Sequence, residues 1–362
     1  YSKHQLLCIE DAGDKFFMND DPRSPEPWAE GPRDLTYDRL RGELYVKTHG
    51  QSFYRVDEKT GKMMTRFDLT PLSNPNAGTQ LRTDANGNLV TYSWSAPNGL
   101  RLYDRGAKPL NWPGMTSNYI PLSGVMNYMQ RGLLVAGPEE LFIIPPGDWR
   151  KGSSTGSEAD EPASCMNVFG LDGKVKRTII WQCTKGAIPR LDAKGNIYLA
   201  EMIKPPDRNF PEFFDGKINP PPKQTAEQSA SYYYSYMYGS IVKFPPTGGA
   251  LWFKTNLTAS VEGTPPAELL GLPKEPVRIH TGYGTQQKGE LQGALWWRFG
   301  FSPYTCVLSS CMLTCMCEGG GFDVDPYGRV FFPNLGRFRV EVLDTNGNPL
   351  TMFGRYGNQD DG

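Results

Sequence analysis

Histidine is nearly absent from this 362-residue chain: His4, His49 and His280 are the whole supply, and no two share a motif. A histidine-built metal centre would have to be gathered from scattered positions. His49, which follows an apolar strand and precedes Gly50, reads as a solvated turn residue. An excess of one charge sign is missing too. With 38 Lys and Arg against 39 Asp and Glu, the net charge is −1, which gives no electrostatic case for nucleic acid or a membrane surface. No run approaches the roughly 18 apolar residues of a membrane helix. No signal-peptide pattern opens the sequence, and its first residue is Tyr1. The expectation is a processed chain or a segment of a longer protein.

What is present is a recurring unit: a short apolar strand, a turn on Asp-x-x-Gly, and another strand. It occurs at Asp38–Val46, where the spacing is one residue longer, and at Asp84–Val90. A copy without the Asp turns at Gly132 before Leu133-Leu134-Val135. The turn glycines Gly42, Gly87 and Gly132 stand 45 residues apart, a period that marks a repeat architecture. The pattern returns at Asp192–Leu199 and Asp325–Phe332. Each unit has a second half, a strand and reverse turn, as in Ser240–Phe244 turning at Gly248 or Arg339–Asp344 turning at Asn346-Gly347. Asn-Gly and Asp-Gly between alternating apolar residues favour hairpins because both residues tolerate positive φ. Four short strands per unit, repeated, make the blade of a β-propeller. The aspartates at 84, 192 and 325 read as turn formers that hydrogen-bond their own backbone.

The units resemble NHL-repeat propellers, most clearly over Gly321–Phe353, with Phe322-Asp323-Val324-Asp325-Pro326-Tyr327-Gly328-Arg329-Val330-Phe331-Phe332 and then Val340–Gly347. The resemblance implies an all-β fold, a six-bladed β-propeller with room for a seventh blade, over residues 1–362 as one domain. It does not transfer an activity, because NHL-type propellers include lyases, lactonase-like hydrolases, scaffolds and RNA binders. Gln5–Met18 looks like the outer half of a blade without its inner strands, so one blade is expected to be split between the chain termini, a device that removes free sheet edges. Three stretches break the rhythm. Residues 150–163 are polar, and 204–228 and 254–302 carry Pro205-Pro206, Pro220-Pro221-Pro222 and Pro265-Pro266, which central strands exclude. Such insertions usually shape a binding face. The last of them has the length to hide a degenerate seventh blade.

Cys306, Cys311, Cys315 and Cys317 form C-x4-C-x3-C-x-C just before the strand at Phe322. Two disulfides stapling a loop of an exported protein is the favoured reading. Four thiolates holding a transition metal is the alternative, and the spacing decides neither. With Cys8, Cys165 and Cys183 the total is seven, which leaves one thiol over. Gluconolactonase-like propellers hold a divalent cation with acidic and amide side chains, and that resemblance makes Glu201, Glu318 and Asn334 the comparable candidates here. Tyr232 and Tyr234, within the aromatic tract 232–238, could join Trp296 and Trp297 as a stacking platform for carbohydrate, though alternating aromatics are also ordinary strand formers. Two functions follow as expectations. One is a ligand-binding or scaffold module of a larger extracellular or periplasmic protein, with other domains or subunits as partners. The other is a metal-dependent hydrolase, lactonase or lyase with its site at the channel mouth. Whether the chain is an enzyme is left open by its residues.

Overall fold

A computed structural model describes residues 32–38, 40–48, 52–57, 59–60, 63–68, 79–93, 99–121, 133–137, 139–144, 164–184, 189–208, 210–216, 238–253, 264–281, 285–301, 321–334 and 337–355. They are nearly all β. Contacts divide the chain into two compact units. One comprises Tyr1–Met126, Ala136–Pro145 and Phe169–Lys176; the other comprises Asn127–Val135, Pro146–Val168 and Arg177–Gly362.

The first unit contains two four-stranded sheets. Strands β1 (Pro32–Asp38), β2 (Glu43–Thr48), β3 (Ser52–Val56) and β4 (Met63–Asp68) pair in chain order. So do β5 (Thr79–Thr83), β6 (Leu89–Ser93), β7 (Gly99–Tyr103) and β8 (Tyr119–Pro121). Tyr45, Phe53 and Phe67 of the first sheet bury against Leu81, Leu89 and Tyr103 of the second. Polar side chains fasten the same joint: Arg41 Nη2 donates to Ala85 O at 3.2 Å, and Arg82 Nη1 to Thr36 Oγ1 at 2.9 Å. The Gly132 copy has its two expected strands, β9 (Leu133–Ala136) and β10 (Glu140–Ile144), and β11 (Ser164–Gly170) and β12 (Val175–Cys183) follow.

The second unit repeats the four-stranded pattern twice. One sheet has the order β13 (Arg190–Leu191), β14 (Ile197–Glu201), β16 (Gly239–Phe244), β20 (Trp296–Phe301). The other runs β21 (Asp323–Val324), β22 (Val330–Asn334), β23 (Arg339–Leu343), β24 (Pro349–Phe353). Tyr198, Ala200, Ile241 and Phe301 bury against Phe322, Val324, Val330, Phe332 and Leu343 between them.

The Asp turns explain why the sequence folds this way locally. In each, the glycine N–H returns to the aspartate carbonyl, at 3.0 Å in Gly87 and Gly195 and 2.9 Å in Gly328. The glycine φ lies between +77° and +82° in these three, a region that costs a residue with a Cβ about 1–2 kcal/mol. The carboxylate completes the turn. Asp84 Oδ1 accepts the N–H groups of Asn86 and Asn88, both at 2.8 Å, and Asp325 Oδ1 those of Tyr327 and Arg329, both at 2.9 Å.

One expectation requires correction. The repeat pattern has the strand after the Gly248 turn complete the sheet of Ser240–Phe244. Instead β17 (Gly249–Phe253) pairs in parallel with β12, Ile180 opposite Gly249 and Trp181 opposite Ala250. The physical reason is close approach: a Cβ on Gly248 would lie 1.7 Å from the Ile179 carbonyl oxygen. Only the bare backbone lets the chain cross there. Strands β18 (Lys274–Thr281) and β19 (Thr285–Gln292) then form a hairpin beside β17, with the two-residue β15 (Ile203–Lys204) on the outside. A single turn of helix, α1 (Ala267–Leu270), connects β17 to that hairpin. Residues 264–292 therefore extend a sheet that contains β12, and β20 returns as the fourth strand beside β16. Four blade-type sheets are complete among the described residues. No helix among the described residues is long and apolar enough to cross a membrane.

Candidate functional site

Counting six residues from the turn glycines Gly42, Gly87, Gly195 and Gly328 reaches the last residue of the second strand in those four repeats. In the second unit those residues are Glu201 and Asn334, and both are buried. The continuous apolar runs Ile197–Ala200 and Val330–Phe332 put these strands into the sheets, and the strand ends carry the polar change.

Glu201 is fully buried. Its Oε2 accepts the Thr184 N–H at 2.7 Å and the Thr184 hydroxyl, and Thr184 Oγ1 accepts the Met202 N–H at 2.6 Å. Its Oε1 has no hydrogen-bond partner among the described residues. Burial pushes its carboxyl up to about 8, against the lowering effect of the Thr184 bonds. At neutral pH this side chain is mainly a neutral acid, able to donate as well as accept. Opposite it on β16, Ser240 donates to Ile203 O at 2.8 Å. Three residues on, Lys204 is buried as well, and desolvation first, then the Arg278 charge, pull its ammonium well below the usual lysine range.

Asn334 donates from Nδ2 to Glu341 Oε1 at 2.9 Å, and its Oδ1 has no partner among the described residues. Glu341 Oε1 also takes Arg339 Nη2 at 2.8 Å and Nε at 3.1 Å. Arg337, 3.7 Å from the same carboxylate, lies 4.5 Å from the centre of the Phe213 ring. Phe213, Phe214 and Tyr238 pack edge-on and tilted against one another, with centroids 4.3–5.9 Å apart. Glu201 and Asn334 are alike in strand position, but they point differently. Asn334 shares a strand face with Phe332, inside the joint between the two sheets, whereas Glu201 lies on the face opposite Ala200 and turns towards Thr184.

Trp296 and Trp297 sit elsewhere. Trp296 pairs with Lys243, at the turn end of the sheet, while Ser240 pairs with Phe299 at the Glu201 end. That is three residues along the strand, about 10 Å. Trp296 donates its indole N–H to Thr345 O at 2.9 Å, meets Tyr198 edge-on at 6.0 Å, and covers the Gly347 turn. Lys243 Nζ joins it, donating to Thr345 O at 2.9 Å and Oγ1 at 2.7 Å. This indole serves as a clasp between the two sheets. Trp297, next in the strand, is half-buried opposite Val242. Tyr232, Tyr234, Glu318 and the cysteines Cys306, Cys311, Cys315 and Cys317 lie outside the described residues. Cys165 and Cys183 are buried thiols that form no disulfide. Among the described residues no three His, Cys, Asp or Glu side chains gather as a metal site. Nothing in the primary structure marks Thr184, Glu341 or Arg339: Thr184 lies 17 residues before Glu201, and Glu341 seven residues after Asn334, and folding rather than spacing brings each to its strand end.

No protein-family model and no curated protein matches this chain. Among solved structures, virginiamycin B lyase from Staphylococcus aureus is similar at 12% identity, over 90% of this chain and 70% of that one, with a TM-score of 0.38. The calcium-binding protein regucalcin from Agrobacterium tumefaciens is similar at 13% identity, over 91% and 75%, with a TM-score of 0.39. BamB from Moraxella catarrhalis is similar at 9% identity, over 88% and 73%, with a TM-score of 0.36. All three are β-propeller proteins. The sheet order and the Asp turns carry the fold assignment on their own: an all-β protein built from propeller-type blades.

Proposed function

We propose that this chain is a ligand-binding or scaffold β-propeller module of a larger exported protein, with the second-strand ends as its binding positions. The observation that carries the reading is Glu201 Oε1, a buried oxygen with no hydrogen-bond partner among the described residues. An unmade buried hydrogen bond costs about 1–3 kcal/mol, and a ligand group that hydrogen-bonds this oxygen would recover it. Asn334 Oδ1 repeats the condition at the equivalent position of the next blade-type sheet. The exported part of the reading rests on the cysteine-rich stretch 306–317, and carbohydrate is the ligand class that the aromatic tracts favour.

A second reading, a metal-dependent hydrolase, lactonase or lyase, is favoured by one feature: a carboxyl that titrates near 8 is poised for general acid–base work. Metal analysis of the purified chain, followed by calorimetric titration with Ca2+ and Zn2+ on wild type and Glu201→Gln, separates the two. The module reading expects no stoichiometric ion and no Glu201-dependent heat. Near one bound ion per chain, lost in Glu201→Gln, would overturn it in favour of the enzyme.

A further inference from the structure

The parallel ladder between β12 and β17 holds for two residue pairs and then stops. The next residue of β12, Gln182, has φ +52°, a left-handed conformation that a residue with a Cβ adopts at a cost and that clusters at ligand clamps. Its side chain makes good what its backbone gives up. Gln182 Oε1 accepts the Phe253 N–H at 3.2 Å, supplying β17 with an acceptor where the ladder has ended. Past this point a cleft of about 430 Å³ opens, lined by Gln182, Trp252, Phe253, Lys288, Gly289 and Glu290. That volume falls within the roughly 300–1,000 Å³ of small-molecule sites.

The cleft is built from fixed parts. Trp252 donates its indole N–H to Gln292 Oε1 at 2.6 Å, and Gln292 donates in turn to Leu272 O at 2.7 Å. The ring is thereby held before any ligand arrives. Gly289, opposite Phe253, presents bare backbone, since a Cβ there would meet Ile279 Cδ1 at 2.3 Å. Glu290, opposite Trp252, is neutralised by Lys274 Nζ at 2.9 Å, and that ammonium lies 6.0 Å from the indole centre. Lys288 lies two residues earlier on the same strand face. It is exposed and has no ion-pair partner among the described residues. The cleft thus combines an aromatic wall, amide and carboxylate hydrogen-bonding groups, and at its lip the Lys288 ammonium, which stands opposite Arg278 on the neighbouring strand.

We propose that this cleft binds an acidic saccharide, a hexuronate unit of a glycan. The C–H face of the sugar ring stacks on Trp252, its hydroxyls meet Gln182 and Glu290, and its carboxylate pairs with Lys288. The aromatic wall selects a flat, partly apolar ring. The exposed Lys288 ammonium selects a negative substituent, because a charge-assisted hydrogen bond is the strong contact available there. The site uses neither Glu201 nor Asn334, so it stands or falls separately from the strand-end reading.

Calorimetric titration of the whole chain with a galacturonate trisaccharide, and with the neutral galactose trisaccharide as comparison, tests it. The acidic sugar is expected to bind at least about tenfold more tightly than the neutral one, with an affinity that falls as salt rises. Lys288→Gln should remove about that tenfold preference. Because Trp252 also packs against Trp181, Ala250 and Leu269, replacing it disturbs that corner of the core. Lys288 is exposed, and its substitution leaves the fold in place, so it is the deciding variant. No binding of either sugar at millimolar concentration, equal binding of the two, or an unchanged preference in Lys288→Gln would overturn the proposal.

Discussion

Two carboxyl groups at opposite ends of one sheet show how position sets chemistry at the scale of a residue. Asp192 sits at the turn before β14. Burial would raise its carboxyl, but bonds from Asn196, Lys194 and Tyr198 outweigh that and hold it below the usual aspartate range. Lys243 lies 3.4 Å away. Glu201, at the other end of β14, has burial as its dominant influence, and its carboxyl rises from 4.5 to about 8. The two titrations act on stability with opposite sign. Asp192 contributes stability above its unfolded-state value of 3.8, and that contribution fades only as pH falls through its depressed native value. Between pH 4.5 and about 8 the unfolded chain ionises Glu201 while the folded chain keeps it protonated, so the folded state loses ground as pH rises. Glu201→Gln preserves the shape and removes the titration. Relative to that variant, wild type is expected to lose stability by up to about 1.4 kcal/mol per pH unit across this window. Urea unfolding of both proteins at pH 5 and pH 7.5 measures the gap; an equal gap at the two values would mean that Glu201 is not a buried acid.

At the scale of an element, the diversion of β17 is the decision that sets this chain apart from a plain repeat. An antiparallel fourth strand beside β16 was the local solution, and the turn at Gly248 was legible as a hairpin turn. What redirects the strand is its pairing with β12, which lies 69 residues earlier in register, Ile180 opposite Gly249. Non-local pairing leaves no local pattern in a sequence. Gly248 makes it feasible through both its φ of +85° and its contact with the Ile179 backbone. Gly248→Ala is therefore expected to cost about 2–5 kcal/mol, combining left-handed strain with overpacking against backbone. Gly216 is the control. It has φ +72°, and a Cβ there would find nothing within 4 Å, so Gly216→Ala should cost only about 1–2 kcal/mol. Thermal unfolding of the two variants reads the difference, and similar losses would show that close approach at Gly248 is not what matters.

At the scale of the whole molecule, what could be read in advance was what depends on neighbours in sequence. Asp-x-x-Gly fixes its own turn through the aspartate side chain and the glycine φ, so the hairpins at Gly87, Gly195 and Gly328 were legible, whereas β20 as the fourth strand beside β16 was not. Glu201 and Asn334 were legible as strand ends. Their surroundings were not, because Thr184 and Glu341 reach them through folding rather than through spacing. Trp296 was legible as an aromatic next to a strand, but its seat over the Gly347 turn depends on a sheet 49 residues further along. The cysteines extend this logic to the full chain. Burial raises the Cys165 thiol above its usual range, with a smaller opposing bond from the Gln182 backbone, and Cys183 is buried in the neighbouring strand of the same sheet. Neither forms a disulfide, and both should resist an aromatic disulfide reagent in the native protein, since the reactive species is the thiolate. If at least one bridge joins two of Cys306, Cys311, Cys315 and Cys317, unfolding without reductant should release at most five of the seven thiols, and reduction should release all seven. A count of seven before reduction would rule out the bridge and leave metal ligation or plain packing for the four; a count of five or three, with peptide mapping that finds the bridged pairs within 306–317 and not at Cys8, would fix one or two staples just ahead of Phe322.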